Sequence, residues 1–257
     1  MFPRADRDDL VARLRAAGCV FAEDEARLLL EAAVQGHDLE DLALRRIAGE
    51  PLEHLLGWVE FRGLRLAVEP GVFVPRSRTA LLVDQALVSL PDIPHPVVVD
   101  LCCGCGAVGA ALLNARPDLD LHAADVDPAA VRCARRNLPA DRVHEGDLYA
   151  GLPHALRGRV DVLIANAPYV PTDHIALMPP EARDHEPRTA LDGGSDGLDV
   201  LRRVVAGAPD WLRAGGTLLV ESSTRQGPSL TAAMTAVGLG ARMVHDDETG
   251  GTVVLAR

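Results

Sequence analysis

Val97-Val-Val-Asp100-Leu-Cys102-Cys-Gly104-Cys-Gly106-Ala-Val-Gly109 is the stretch that decides the fold. Its first half is a continuous apolar run closed by an acid, the pattern of a strand buried on both faces. Its second half is a loop of small residues that runs into a helix expected over Ala107–Ala115. Open α/β sheets bind ligands outside the C-terminal ends of their strands, near the point where the strand order reverses. Gly104 and Gly106 have no Cβ, so a ligand can come close to the backbone there.

The loop alone leaves the ligand open. Gly104-x-Gly106-x-x-Gly109 also satisfies the dinucleotide fingerprint, and a purely structural glycine turn would look the same. Asp100 favours S-adenosylmethionine, because a carboxylate at the strand end can face the cationic amino group of a methionine moiety and would repel a pyrophosphate. Asp125, at the end of the next strand, can accept both ribose hydroxyls of an adenosine. Asp147, after the third strand, can accept from an adenine amino group. Cys102, Val126 and Leu148, with Asn166 after the fourth strand, complete the expected cofactor set.

Outward from this loop the pattern alternates between strand and helix. Strands are expected at Leu119–Ala124, Arg142–Glu145, Val160–Ala165, Thr217–Glu221, Ala241–His245 and Thr252–Ala256, with a helix at Ala129–Asn137. Such alternation implies a mostly parallel sheet covered by helices. Upstream, Arg78–Leu90 reads as a helix. Trp58–Val74 reads as a β-hairpin, with Val59, Phe61, Leu64, Leu66 and Val68 alternating around Gly63. The first fifty residues read as three helices. Asp6, Asp8 and Asp9 stand where the cap and first-turn acids of the first belong, and Gly18 is its stop. The second covers Ala22–Gln35 and the third Leu39–Ala48. The expected division is 1–57 helical, 58–74 hairpin linker and 75–257 α/β.

The bulk composition narrows the classes. The net charge of −11 opposes stable binding to a phosphate backbone. Lysine is absent and all 26 basic residues are arginine, as a GC-rich coding sequence would produce. No run of 18 apolar residues spans a membrane and no leader is evident. Five cysteines, three of them crowded at 102, 103 and 105, do not make a disulfide framework and fit a reducing cytoplasm. No second Cys/His pair follows at ligand spacing, so no metal is expected.

The chemistry is carried by Asn166-Ala167-Pro168-Tyr169, a polar turn at the end of the buried strand Val160–Ala165. An amide or aromatic amine nitrogen is a poor nucleophile because its lone pair is delocalised, and no side chain can deprotonate it beforehand. Accepting its two N–H bonds is what helps. The Asn166 side-chain oxygen and the Ala167 carbonyl can do so together and hold the nitrogen in line with a sulfonium methyl. Pro168 stiffens the turn and Tyr169 offers a flat face to a planar substrate group.

These motifs resemble those of the HemK/PrmC family, protein-(glutamine amide nitrogen) methyltransferases that modify peptide release factors. The resemblance covers nearly the whole chain: Arg46, Gly49-Glu50-Pro51, His54, Gly57 and Phe61; Val74-Pro75-Arg76; the glycine loop; Asp125; Asn166-x-Pro168-Tyr169; and Glu186-Pro187-Arg188-x-Ala190-Leu191-Asp192-Gly193-Gly194-x-Asp196-Gly197. It implies a class I, Rossmann-like methyltransferase sheet with a small helical N-terminal domain that docks the protein substrate. It also implies S-adenosylmethionine as cofactor, S-adenosylhomocysteine as product, and a release-factor glutamine held by Asn166 and the residue-167 carbonyl. Arg76, Tyr169, Glu186 and Pro187 are the implied substrate-side residues. The chain departs from the family in three places. Ala167 replaces a proline. Ser77-Arg78-Thr79-Ala80 lacks the usual acid near Ala80. Cys102 and Cys103 replace smaller loop residues. A paralogue with its own target, an amino methyltransferase acting on adenine or guanine of nucleic acid or on a small molecule, a non-catalytic cofactor-binding module and, more remotely, an NAD-dependent oxidoreductase are the alternative readings. Glu221, at a strand end, is either a substrate-side acid or a solvated residue.

Overall fold

The computed structural model describes residues 4–257, so the first three positions of the expected helical unit lie outside it. Four helices come first: α1 (Arg4–Ala16), α2 (Ala22–Val34), α3 (Leu39–Ile47) and the short α4 (Leu52–Leu56). Leu10, Leu14, Ala26, Leu29, Leu42 and Leu55 bury one face of each against the others. α1 begins at Arg4, so Asp6 stands in its first turn as expected, while Asp8 and Asp9 lie further inside the helix. Gly18 does end it, at φ +94°. α4 was not expected; its five residues are too few to display a helical period.

The hairpin is shorter than its apolar pattern suggests. β1 (Trp58–Phe61) pairs antiparallel with β2 (Leu64–Ala67), and the chain leaves the ladder before Val68. Arg62 and Gly63 both have positive φ, the backbone a tight two-residue turn requires. Asn137 clamps the hairpin to the sheet layer: its side chain accepts from the Ala67 N–H and donates to the Ala67 and Cys105 carbonyls, each at 2.8 Å. A single turn at Ser77–Thr79 then leads into α5 (Ala80–Ser89).

The remainder alternates as expected: β3 (Val97–Leu101), α6 (Ala107–Ala115), β4 (Asp120–Asp125), α7 (Pro128–Asn137), β5 (Val143–Glu145), β6 (Val160–Ala165), α8 (Pro180–His185), α9 (Arg188–Leu191), α10 (Asp199–Trp211), β7 (Leu212–Glu221), α11 (Gly227–Ala236), β8 (Ala241–Asp246) and β9 (Gly251–Ala256). The seven strands lie in the order β5-β4-β3-β6-β7-β9-β8. β5, β4, β3, β6 and β7 run parallel, and β9 is antiparallel to both its neighbours. Every residue of β3, β6 and β9 is buried, because the sheet is covered on both faces. Val98, Val162 and Ile164 pack with α5, α6 and α7, whereas Val99, Leu101, Leu163 and Ala165 pack with α10 and α11.

α10 and α11 escape the sequence reading for local reasons. α10 carries Pro209 near its end, and α11 opens on Gly227-Pro228, so both look like turns. Among the described residues no helix is long and apolar enough to cross a membrane.

One buried carboxylate fastens the start of the central strands. Asp161 of β6 accepts from the Val97 N–H at 2.7 Å and from the Arg213 guanidinium. Asp161→Ala strands that N–H in the core and is expected to cost roughly 1–3 kcal/mol. At about 2–4 °C per kcal/mol for a chain of this size, differential scanning calorimetry would resolve the loss; an unchanged melting temperature contradicts the role.

Candidate active site

The sheet register sets the geometry. Leu101 of β3 pairs with Ala124 of β4 on one side and Ala165 of β6 on the other. The next residues of each strand therefore leave the sheet side by side: Cys102, Asp125 and Asn166. They open into a cleft of about 650 Å³. Every expected site residue lines it except Gly106 and Glu186.

The glycine loop is held from below. The Cys103 N–H donates to the Ala124 carbonyl at 3.1 Å, and the Gly104 N–H to Asp125 Oδ2 at 2.9 Å. Gly104, at φ +56°, has open space where a Cβ would stand, as a cradle for a ligand needs. Gly106 is glycine for a different reason: a Cβ there would meet Leu138 of the α7 C-terminus at 2.8 Å, in a backbone at φ +81°. It secures close helix packing and left-handed backbone, not approach by a ligand. Cys102 and Leu148 are the unexpected features. Both have positive φ without being glycine, and both line the cleft. Strained backbone of this kind costs of order 1 kcal/mol and concentrates at functional sites. Burial pushes the Cys102, Cys103 and Cys105 thiols well above the usual range, so they are packing groups and not thiolates.

Asp100 is 1% exposed and accepts one hydrogen bond, from the Gly109 N–H at 3.2 Å. Burial, reinforced by the nearby Asp125 charge, pushes its carboxyl up to about 7, and the Gly109 N–H only partly offsets this. A cation placed beside it would restore the charged form. Asp125 is also raised by burial while the Asp127 and Gly104 N–H groups hold it down. Asp147 is half-exposed and paired with Arg203 of α10 at 2.6 Å, so it meets any adenine-like ligand already sharing its charge. An open glycine cradle ringed by Asp100, Asp125 and Asp147 fits a cationic adenosyl amino acid.

The Asn166–Tyr169 turn is braced from three sides. The Tyr169 hydroxyl accepts from Arg78 Nε at 3.0 Å and donates to Glu221 Oε1 at 3.1 Å. Gln226 Nε2 donates to the Tyr169 carbonyl at 2.8 Å and the Asp196 carbonyl at 3.0 Å. The Val170 N–H donates to the Leu191 carbonyl, and the Gly193 N–H to the Val170 carbonyl. Gly193 and Gly197 approach the turn so closely that a Cβ would lie 2.7 Å from the Pro168 oxygen and 2.3 Å from the Tyr169 oxygen. The 186–197 stretch is thus the turn's buttress. Asn166 itself donates from Nδ2 to the Thr79 hydroxyl at 3.4 Å.

Two expectations change. Glu186 does not line the cleft: it is buried, accepts from the Val74 N–H at 3.1 Å and from Arg76 at 2.7 Å, and so aims Arg76, which does line it. Glu221 is not a solvated strand end; it is 2% exposed beneath Tyr169. Sequence reasoning missed Gln226, a polar residue outside any motif, and gave no role to Thr79, which follows Val74-Pro75-Arg76. Only the fold brings them to the turn.

Residues 63–178 match the family model described as Methyltransferase small domain. The chain is 39% identical over 229 residues to the release factor glutamine methyltransferase of Streptomyces coelicolor, covering 88% of this chain and 79% of that protein. It is 38% identical to the release factor glutamine methyltransferase of Deinococcus radiodurans, covering 93% and 92%. Among solved structures, a methyltransferase from Pyrococcus furiosus superposes with a TM-score of 0.57 at 15% identity, over 84% of this chain and 98% of that one, a likeness of fold.

The raised Asp100 carboxyl makes a pH prediction. The free site ionises near 7, and a bound ammonium favours the ionised form. Affinity for S-adenosylhomocysteine should therefore be full above pH 7 and fall below it, by roughly tenfold between pH 8 and pH 6. Isothermal titration across that range checks it. Asp100→Asn should bind weakly with no such slope; a flat wild-type profile defeats the assignment.

Proposed function

The chain belongs to the family of release factor glutamine methyltransferases, and on that premise we propose that it transfers the methyl group of S-adenosylmethionine to the side-chain amide nitrogen of a glutamine in a peptide chain release factor. The observation that carries this reading is the placement of the Asn166–Tyr169 turn beside the acid-lined glycine loop, on adjacent strands of one cleft.

The bound cofactor supplies an electrophilic sulfonium methyl. The protein's work is to present a nitrogen to it. Asn166 Oδ1 and the Ala167 carbonyl accept the two N–H bonds of the glutamine amide, and the Tyr169 ring bounds its planar face. Held this way, the nitrogen lone pair is directed along the line of attack. On gaining the methyl group that the cofactor would supply, the nitrogen would carry one proton too many and would release it to solvent. Positioning of this type is worth up to about 7–11 kcal/mol in the best intramolecular cases. Asp100 would anchor the cofactor's amino group, Asp125 its ribose and Asp147 its adenine edge, with Cys102, Val126 and Leu148 along its length. Arg76, aimed by Glu186, and Pro187 meet the substrate loop.

We assign residues 1–57 to docking of the protein substrate, 58–74 to the link and 75–257 to catalysis. Contacts that join these parts support the assignment. Arg46 of α3 is buried between Glu25 at 2.6 Å and Glu181 of α8 at 2.5 Å, and the His54 ring bonds the Val72 carbonyl at 2.8 Å.

Incubation with labelled S-adenosylmethionine and purified release factors, followed by mass spectrometry, should place a methyl on one glutamine. Asn166→Ala should lower kcat by roughly 100-fold or more, the scale seen when one preorganised polar contact to a reacting group is removed. Methyl appearing only on nucleic acid would overturn the reading.

A further inference from the structure

We infer that Thr79 fixes the amide orientation of Asn166 and thereby determines that its oxygen, not its nitrogen, faces the substrate. The inference rests on the proposed transfer to an amide nitrogen, which needs an acceptor at that point. An asparagine side chain has the same shape in either orientation, so only its hydrogen-bond partners distinguish them. The partner here is the Thr79 hydroxyl, 3.4 Å from Asn166 Nδ2. A hydroxyl can donate or accept, and by itself it would tolerate both orientations.

Glu221 removes that freedom. Its carboxylate is 2% exposed, and its Oε1 takes the Tyr169 hydroxyl proton at 3.1 Å with Arg78 at 3.4 Å. Its Oε2 is buried, and no donor reaches it in good geometry. The Thr79 hydroxyl interacts with this same carboxylate. Thr79 is also 2% exposed, so its proton is remote from bulk water. Burial raises this carboxyl, while Thr79, Arg78 and the Tyr169 hydroxyl hold it down; in its ionised form, paired with Arg78, it offers only acceptors, and the Thr79 proton turns toward it. The Thr79 oxygen then presents lone pairs to Asn166. The nitrogen of Asn166 must donate, and its Oδ1 is left for the cleft. A flipped amide would set oxygen against oxygen at Thr79 and two N–H groups against the N–H groups of the substrate. The relay Glu221–Thr79–Asn166 thus makes Thr79 a positioning residue, carried on the turn that opens α5 and not on either motif.

Replacing Thr79 with valine keeps the volume and deletes the hydroxyl. In Thr79→Val, kcat toward the release factor should fall about fivefold, the equivalent of one hydrogen bond of ~1 kcal/mol, with unchanged affinity for S-adenosylhomocysteine. Thr79→Ser should restore kcat to within about twofold, since one hydrogen bond is again in place. Thr79→Ala should behave as Thr79→Val and separates the lost hydroxyl from any misfit of the valine. A readout independent of turnover is proton exchange of the Asn166 side-chain amide by NMR, its signals identified by their loss in Asn166→Ala. They should be protected in the wild type and in Thr79→Ser, and exposed in Thr79→Val and Thr79→Ala. Wild-type kcat in the hydroxyl-free variants, failure of serine to rescue, or exchange indifferent to residue 79 would each overturn the inference. If the wild type methylates no release factor, the functional reading fails, and the exchange measurement still decides the orientation.

Discussion

Parallel pairing of β3 with β6 is the constraint from which the site follows. Leu101 stands opposite Ala165, so the glycine loop and the Asn166–Tyr169 turn leave the sheet at the same height and one strand spacing apart, about 4.8 Å. Neither loop has freedom to drift, because β3 and β6 are wholly buried and a slip of one residue would turn apolar side chains toward the wrong layer. Asp161 adds a second fastening at the opposite end, joining the start of β6 to the start of β3. The distance between the loop and the turn is therefore set by backbone hydrogen bonds in the middle of the protein.

That constraint also explains which features were legible in the sequence. Val97–Leu101 and Val160–Ala165 could be placed at the sheet centre because burial on both faces leaves an uninterrupted apolar run. The loops they feed could be read because glycines, an acid and Asn-x-Pro-Tyr each have a local chemical reason. What could not be read is whatever acts across the fold. Gln226 reaches the Tyr169 and Asp196 carbonyls from the start of α11, and nothing within its own neighbourhood in the chain announces that. Gly106 looked like a ligand-facing glycine because the motif places it in the loop; its actual neighbour, Leu138, enters from the end of α7. Glu186 was assigned to substrate because it belongs to a motif, whereas its carboxylate is spent on Arg76 and the Val74 N–H.

Ala167 bears on both points. A proline at that position would restrict one φ and stiffen the turn from within. Here the stiffness comes from outside. The Tyr169 hydroxyl, the Tyr169 carbonyl and both polar groups of Val170 are each tied to a different part of the chain. The close approach of Gly193 and Gly197 leaves the turn no room on its outer side. Ala167 is itself 1% exposed, so its backbone sits in packed surroundings and not in a mobile loop. A turn braced in this way keeps its carbonyl in place without the second proline.

Charge is distributed along the cleft in a way that suits a cation on one side and a peptide on the other. Asp100, Asp125, Asp127 and Asp147, the last paired with Arg203, line the glycine-loop end, whereas Arg76, Arg78 and Arg188, the last paired with Asp192, line the end toward the Asn166–Tyr169 turn. S-adenosylmethionine carries a sulfonium charge that its product lacks. An acid-lined pocket attracts the first more strongly than the second, because Coulomb attraction inside a partly buried cleft is screened far less than in water. The attraction is also tunable: Asp100 is charged only when something cationic or a higher pH holds it so. The same burial that makes the Asp100 carboxyl reluctant to ionise makes it responsive to a cation placed beside it.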